Sequence, residues 1–309
     1  MKVLIADDDP ISRHMLEKLL ERGGYEVIVA KDGDEAARIL ASSDSPKLAV
    51  LDWIMPGLDG IQLCHRIRHG KSEPYTYILM CTVKRQQRDI VAGLEAGADD
   101  YVTKPYDPDE LRLRLRTGKR ILYLQDQLIG AREAMREQAT RDSLTGFWNR
   151  ASILDILSQE LSRSQRQGAR FSVVLVDLDL FKQINDVHGH QVGDRVLRQV
   201  SQAMRASKRN YDSIGRYGGE EFLVVLPDCD EPNAVMQAER LRATVEQMSI
   251  ETPSGPIHTT ASFGVAAFNK QTCPDSIDLI QAADEALYRA KRNGRNRVEV
   301  ALLGPLAAV

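Results

Sequence analysis

The sequence predicts an α/β protein of two domains joined by a long helix, and three observations lead there. Along residues 1–118, short apolar runs alternate with helix-length amphipathic segments. Residues 119–139 are rich in helix formers and free of proline. Residues 140–309 hold a β-branched apolar run that ends in acids, and a Gly-Gly turn between strand-like segments. A chain of 309 residues is long enough for two such domains, each burying its own core.

In the first region the apolar runs are KVLIA, YEVIVA, LAVLD, YILMCT and DDYVTK. Their alternation with helical patterns implies a parallel sheet covered on both faces. Ligands gather outside the carboxyl ends of the strands in such sheets. The residues there are Asp7 and Asp8 after the first strand, Asp52 after the third, Thr82 after the fourth and Lys104 after the fifth. Clustered carboxylates repel unless a divalent cation joins them, and an Asp beside a cation can act as nucleophile toward a phosphoryl donor. Lys104 and Thr82 would then bind phosphoryl oxygens.

After Pro108 a long helix is expected to run out of the first domain. Its apolar residues fit two heptad registers, one through Leu111, Leu115, Gly118, Leu122, Gln125 and Ile129, the other through Ile121, Leu124, Leu128, Ala131 and Met135. Two incomplete registers suit a parallel dimeric coiled coil that shifts between packings. The basic excess of this stretch reads as a solvated surface.

In the second region the run Phe171–Val176 ends at Asp177, Leu178 and Asp179, the pattern of a buried strand delivering carboxylates to its end. Arg216-Tyr217-Gly218-Gly219-Glu220-Glu221-Phe222 reads as a hairpin whose glycines supply positive φ angles. If the two strands are neighbours, Asp177 and Glu220 converge. Hard oxygen ligands of this kind suit Mg²⁺ (or Mn²⁺) with substrate phosphates completing the shell, which points to nucleotidyl transfer.

Four segments, RDSLTGFWNR (141–150), DLDLFKQINDVHGHQVGD (177–194), RYGGEEF (216–222) and ALYRAKRNGRN (286–296), resemble in order the motifs of the GGDEF family of diguanylate cyclases. The resemblance implies an α+β, palm-like nucleotidyl cyclase domain over residues 140–309, condensing two GTP into cyclic di-GMP across a homodimer. It implies metal ligation by Asp177, Glu220 and the backbone of Leu178, with Glu221 assisting the metal or the 3′-hydroxyl. Lys182, Lys291 and Arg295 would hold the triphosphate. Asn185 and Asp194 match the guanine-reading positions; relatives that accept ATP carry a small hydroxyl residue in place of Asp194. Arg209-Asn-Tyr-Asp212 matches the product-binding inhibitory site, which Arg240 would complete, so feedback inhibition is expected. Taken alone, Arg209 and Asp212 would be a surface ion pair. Phe147 and Trp148 depart from the usual residues of the Leu-Thr-Gly motif.

Asp7-Asp8, Asp52-Trp-Ile-Met-Pro56, Thr82 and Lys104-Pro105 resemble the receiver domain of two-component response regulators. This implies a flavodoxin-like, doubly wound sheet over residues 1–118, with Asp52 as phosphoacceptor and Asp7, Asp8 and Asp52 around Mg²⁺ or Mn²⁺. It further implies Tyr101 as switch aromatic, a cis Lys104–Pro105 bond, and a sensor histidine kinase or phosphotransfer protein as partner. The expected whole is a phosphorylation-activated cyclase. Its rival is a catalytically inactive domain that binds cyclic di-GMP as an effector, opposed by the intact Asp177, Glu220, Lys182 and Asp194.

Composition narrows the alternatives. A net charge of −3 with 28% charged residues gives no global basicity for nucleic acid or membrane. No run approaches the roughly 18 apolar residues of a membrane span, and the N-terminal apolar stretch is too short for a signal peptide, so a cytoplasmic location is expected. The four cysteines, Cys64, Cys81, Cys229 and Cys273, lack metal or disulfide spacing and read as small buried apolar residues. The tail VALLGPLAAV reads as a last strand followed by disordered residues.

Overall fold

The computed structural model describes residues 1–70, 75–83, 87–252, 255–268 and 275–302. Cys273 and the tail beyond Leu302 lie outside them. The chain forms two compact units, Met1–Glu133 and Ala134–Val309. Among the described residues no helix is long and apolar enough to cross a membrane.

In the first unit, β1 (Lys2–Ala6), β2 (Glu26–Ala30), β3 (Leu48–Asp52), β4 (Tyr77–Thr82) and β5 (Asp100–Thr103) form one parallel sheet in the order β2-β1-β3-β4-β5. The helices α1 (Pro10–Arg22), α2 (Gly33–Leu40), α3 (Gly60–His69), α4 (Gln87–Glu95) and α5 (Pro108–Thr140) supply the crossovers and the exit. Every residue of β4 is buried, as a strand covered on both faces requires. Strand order reverses between β1 and β3, which pair side by side, so the crevice at that switch point lies beside Asp7 and Asp52.

Helix α5 is one uninterrupted element of 33 residues. The structure gives the first part of this helix, including Ile121 of the second register, to the first unit's core and leaves the later apolar positions of that second register exposed. Leu111, Leu115 and Leu122 are at most 3% exposed and belong to the first unit's own core with Val3, Ile5, Leu79 and Tyr77. That part of the first register is taken up by intramolecular packing and cannot shift without opening the core. In the second register Leu124, Leu128 and Met135 are 52%, 68% and 70% exposed.

The second unit contains α6 (Arg150–Gln167), β6 (Phe171–Leu178), α7 (Phe181–His188), α8 (His190–Ser207), β7 (Ser213–Arg216), β8 (Glu221–Pro227), α9 (Glu231–Glu246), β9 (Ile250–Thr252), β10 (Gly255–Ile257), β11 (Ala261–Ala267), α10 (Ser276–Arg292) and β12 (Val298–Val300). Its main sheet runs β12-β11-β6-β8-β7, and β6 pairs antiparallel with both neighbours. All eight residues of β6 are buried, and they divide by parity. Val174, Val176 and Leu178 join the core beneath α8 and α9, whereas Val173 and Leu175 join the core beneath α6 and α10. The alternation carries Asp177 to the α10 side.

Phe147 and Trp148 are structural. Phe147 is buried with its ring edge-on to Phe222. Trp148 exchanges backbone hydrogen bonds with Ile214 and Arg216, and the Arg141 guanidinium lies 3.5 Å from its ring centroid. Cys64, Cys81 and Cys229 are free and buried.

Candidate functional site

In the second unit β6 and β8 are hydrogen-bonded neighbours, with Asp177 opposite Glu221 and the Leu178 amide donating to the Glu220 carbonyl at 3.3 Å. The hairpin β7–β8 forms as the sequence suggests, but for a different reason. Neither Gly218 nor Gly219 adopts a positive φ. A Cβ on Gly218 would instead stand 2.3 Å from the Glu221 carboxylate, so the glycine leaves the acid room to lie over the turn. Arg216 clasps the turn, its guanidinium donating twice to the Gly219 carbonyl at 3.0 and 2.6 Å and to both Asp142 oxygens at 3.3 and 3.2 Å.

The Lys291 ammonium, on the last turn of α10, lies 2.8 Å from an Asp177 oxygen. Burial pushes the Asp177 carboxyl up, and Lys291 opposes that rise without cancelling it. Burial raises Glu220 and Glu221 as well, and the charge of Asp177 adds to both. One buried and two half-buried acids, with the Asp177 charge disfavouring the ionised form of the other two and one ammonium against Asp177, are a donor set suited to a hard divalent cation. Their carboxylates do not form a trio within 4.8 Å, a spacing met among the described residues only in the first unit.

The other positions fall on the elements around these acids. Lys182 and Asn185 lie on α7, exposed and half-buried respectively, and Asp194 lies half-buried in the first turns of α8. A Cβ on Gly193 would stand 1.9 Å from the Asn185 side-chain oxygen, so a glycine lets Asn185 lie against the helix that carries Asp194. Arg295 follows α10 in a left-handed conformation, φ 63°, and its charge lowers the Asp177 carboxyl.

Arg209 and Asp212 close a tight turn after α8. Asp212 is 3% exposed, so it is no surface acid; one oxygen accepts the Arg209 amide at 2.9 Å, and the other has no hydrogen-bond partner among the described residues. Burial pushes this carboxyl up. It lines a cavity of about 870 Å³ together with Asp142, Trp148, Arg205 and Lys208. Arg240 stands exposed on α9.

Two acids act as anchors, a role that sequence reasoning missed. Asp179 is buried and accepts from the Thr260 and Ser262 hydroxyls, each at 2.7 Å, and from the Asn296 amide at 3.1 Å. Asp142 accepts from the Thr145 amide and hydroxyl and from Arg216. The only signal was an acid two residues beyond Asp177 and an acid-to-Thr spacing of a capping turn.

In the first unit, ligand oxygens of Asp7, Asp8 and Asp52 lie within 4.8 Å of one another. The Lys104 ammonium bridges Asp7 and Asp52 at 2.7 and 2.6 Å. Asp7 also accepts the Ser12 hydroxyl at 2.7 Å. Burial raises the Asp52 carboxyl against the pull of Lys104; burial lowers the Lys104 ammonium, but the two carboxylates outweigh it and hold it above the ordinary value. Thr82 is buried at the end of β4, and Tyr101 on β5 packs under the Arg114 guanidinium at 5.3 Å. The Lys104–Pro105 peptide is cis.

Comparison with known proteins agrees with this geometry. A response regulator receiver domain matches residues 3–116, and a diguanylate cyclase GGDEF domain matches residues 139–297. The response regulator PleD of Caulobacter vibrioides is 32% identical over 300 residues, covering 96% of this chain and 65% of PleD. The diguanylate cyclase DosC of Escherichia coli is 44% identical over 169 residues, covering 54% of this chain and 36% of DosC. The chain therefore spans about a third to two thirds of the length of these relatives. Among solved structures, the coiled coil and GGDEF domain of DgcB from Caulobacter crescentus, in complex with c-di-GMP, superposes with a TM-score of 0.54 at 30% identity, covering 63% of this chain and all of that one. The diguanylate cyclase SiaD of Pseudomonas aeruginosa, in complex with its activator SiaC, superposes at 0.52 and 36% identity, covering 62% and 74%.

Proposed function

The chain belongs to the GGDEF family of diguanylate cyclases and carries a response regulator receiver domain, and from that premise we propose that it is a phosphorylation-gated, product-inhibited cyclase making cyclic di-GMP from GTP. The observation that carries the reading is the antiparallel pairing of β6 with β8, which sets Asp177 against Glu220 and Glu221 with Lys291 at their side.

Asp177, Glu220 and the Leu178 carbonyl would hold Mg²⁺ or Mn²⁺, which polarises phosphoryl oxygens and acidifies a bound hydroxyl. Lys182, Lys291 and Arg295 hold the triphosphate by charge. Asn185 and Asp194 read the guanine edge; the Asp194 carboxylate accepts N–H groups that adenine lacks, which favours GTP. Glu221 stands beside the reacting hydroxyl. The 3′-oxygen of each GTP attacks the α-phosphorus of the other, a P–O bond to pyrophosphate breaks, and the hydroxyl proton is lost, twice per product. Each domain holds one GTP, so two copies of the chain must meet face to face. The exposed Leu124, Leu128 and Met135 stripe of α5 supports a parallel homodimer through that helix.

In the first unit Asp7, Asp8 and Asp52 would hold a second divalent ion. An Asp52 oxygen takes a phosphoryl group from a histidine kinase or phosphotransfer partner, while Lys104 and Thr82 hold its oxygens and Tyr101 reports the change. Phosphorylation would act on rate through the geometry of the dimer, because misplacing two reactants by an ångström costs orders of magnitude. For product inhibition, the place of Asp212 in the lining of the cavity of about 870 Å³ supports an acceptor for guanine N–H groups, with Arg209 and Arg240 on the phosphates.

The test is to incubate the protein with GTP and Mg²⁺, with and without beryllofluoride at Asp52, and to separate the nucleotides by chromatography. Cyclic di-GMP that increases with beryllofluoride is expected. Activity indifferent to it would detach the receiver from control, and no product in either state would favour an effector that only binds cyclic di-GMP.

A further inference from the structure

Between α10 and β12 three successive residues, Gly294, Arg295 and Asn296, have positive φ, at 113°, 63° and 47°. Glycine adopts such angles freely and asparagine tolerates them, whereas an arginine there is strained and persists only where its surroundings impose it. The surroundings converge on the next residue. The Asn296 amide donates to Asp179 at 3.1 Å. Its side-chain nitrogen donates to Glu246 at 2.7 Å, and its side-chain oxygen accepts from the Arg242 guanidinium at 2.9 Å.

Each partner is itself held. Asp179 is buried on the hydroxyls of Thr260 and Ser262, two residues past Asp177. Arg242 is fixed on α9 by Glu239 and Glu246 at 2.7 and 2.8 Å. The Arg295 amide donates back to Ala290 of α10 at 3.0 Å. The loop is thus pinned to the residue that follows β6, to α9 and to α10; the ties to Asp179, Glu246 and Arg242 run through Asn296, while the Arg295 carbonyl accepts from the Arg297 guanidinium at 3.3 Å within the loop.

We propose that Asn296 is a positioning residue that fixes Arg295 toward the triphosphate of GTP by tying its loop to Asp179 and to α9. The inference rests on the reading of Arg295 as a phosphate ligand. It adds that the strained Arg295 backbone is held by its neighbour's side chain, and that α9, which also carries Arg240, is a mechanical support of the phosphate site.

The test measures binding of a non-hydrolysable GTP analogue and of guanosine to the full chain by calorimetry, for Arg295→Ala, Asn296→Ala, the double variant and Arg242→Gln, with KM and kcat for GTP alongside. Asn296→Ala should weaken the analogue about tenfold and raise KM more than it lowers kcat, with guanosine binding unchanged. The double variant should bind within about twofold of Arg295→Ala, since Asn296 acts through Arg295. Arg242→Gln removes one support from the α9 side and should weaken the analogue in the same direction, which keeps the inference testable should Asn296→Ala fold poorly. Losses that multiply in the double variant, or an Asn296→Ala protein that binds the analogue as wild type does, would overturn it. An Arg295→Ala protein with unchanged affinity would instead overturn the reading of Arg295 itself.

Discussion

Glu220 and Asp177 belong to one acid cluster, and removing either should have the same effect. Replacing either with its amide keeps the shape and removes a charge where, in the proposed reaction, negative phosphoryl oxygens would gather around a cation. Asp177→Asn or Glu220→Gln should therefore lower kcat by at least ~100-fold in a GTP turnover assay, while thermal unfolding moves little. Asp142 is the contrasting case. Burial pushes its carboxyl up, but the Thr145 hydrogen bonds and the Arg216 guanidinium outweigh that and hold it below the ordinary carboxylate range. A depressed carboxyl stabilises the fold above its unfolded pKa of roughly 4, and the contribution fades as pH falls through the folded value. Asp142→Asn should cost about 2 kcal/mol in denaturant titration at pH 7, with the gap to wild type closing below about pH 4. At this scale the sequence was legible where an acid ends an apolar run, because burying a charge there demands a partner. It placed Asp179 at the end of that run without its partners, and was silent on Asn296 and the Asp142–Arg216 pair, which depend on strand register and on loops distant in sequence.

Helix α5 divides its length between two tasks, and the division predicts how substitutions sort. Leu115 lies in the core of the first unit, so Leu115→Ala should destabilise that unit by roughly 2–5 kcal/mol in chemical denaturation. Leu128 is 68% exposed, so Leu128→Glu should leave stability within about 0.5 kcal/mol. The same charge would sit in the seam of the proposed homodimer, and sedimentation of Leu128→Glu should show weakened self-association together with lower cyclase activity. Heptad periodicity revealed both apolar faces of this helix but not which one the first unit covers. That assignment depends on Tyr77 and Leu79, which are supplied by a strand remote in sequence. The five parallel strands and the hairpin were legible because their apolar runs are short, β-branched and bounded by acids or glycine. The closeness of Gly218 to the Glu221 carboxylate was not, since it depends on how that side chain folds back over the turn.

For the molecule as a whole, a reaction that needs two domains facing each other makes rate depend on encounter. Specific activity should increase with protein concentration until dimers saturate, and beryllofluoride should shift that curve to lower concentration; a flat curve would count against the dimeric mechanism. The sheet of the second unit sets a different limit. Strand β6 is its middle strand, buried along its whole length and bonded on both edges. Amides in such a strand exchange with solvent only when the sheet itself opens, whereas frayed edges exchange through local motions. Asp177 thus sits on what should be the last segment of the domain to lose protection. Warming the enzyme should not disarm the acid cluster ahead of the fold: deuterium uptake at Val176 to Leu178 and loss of turnover should follow one cooperative transition.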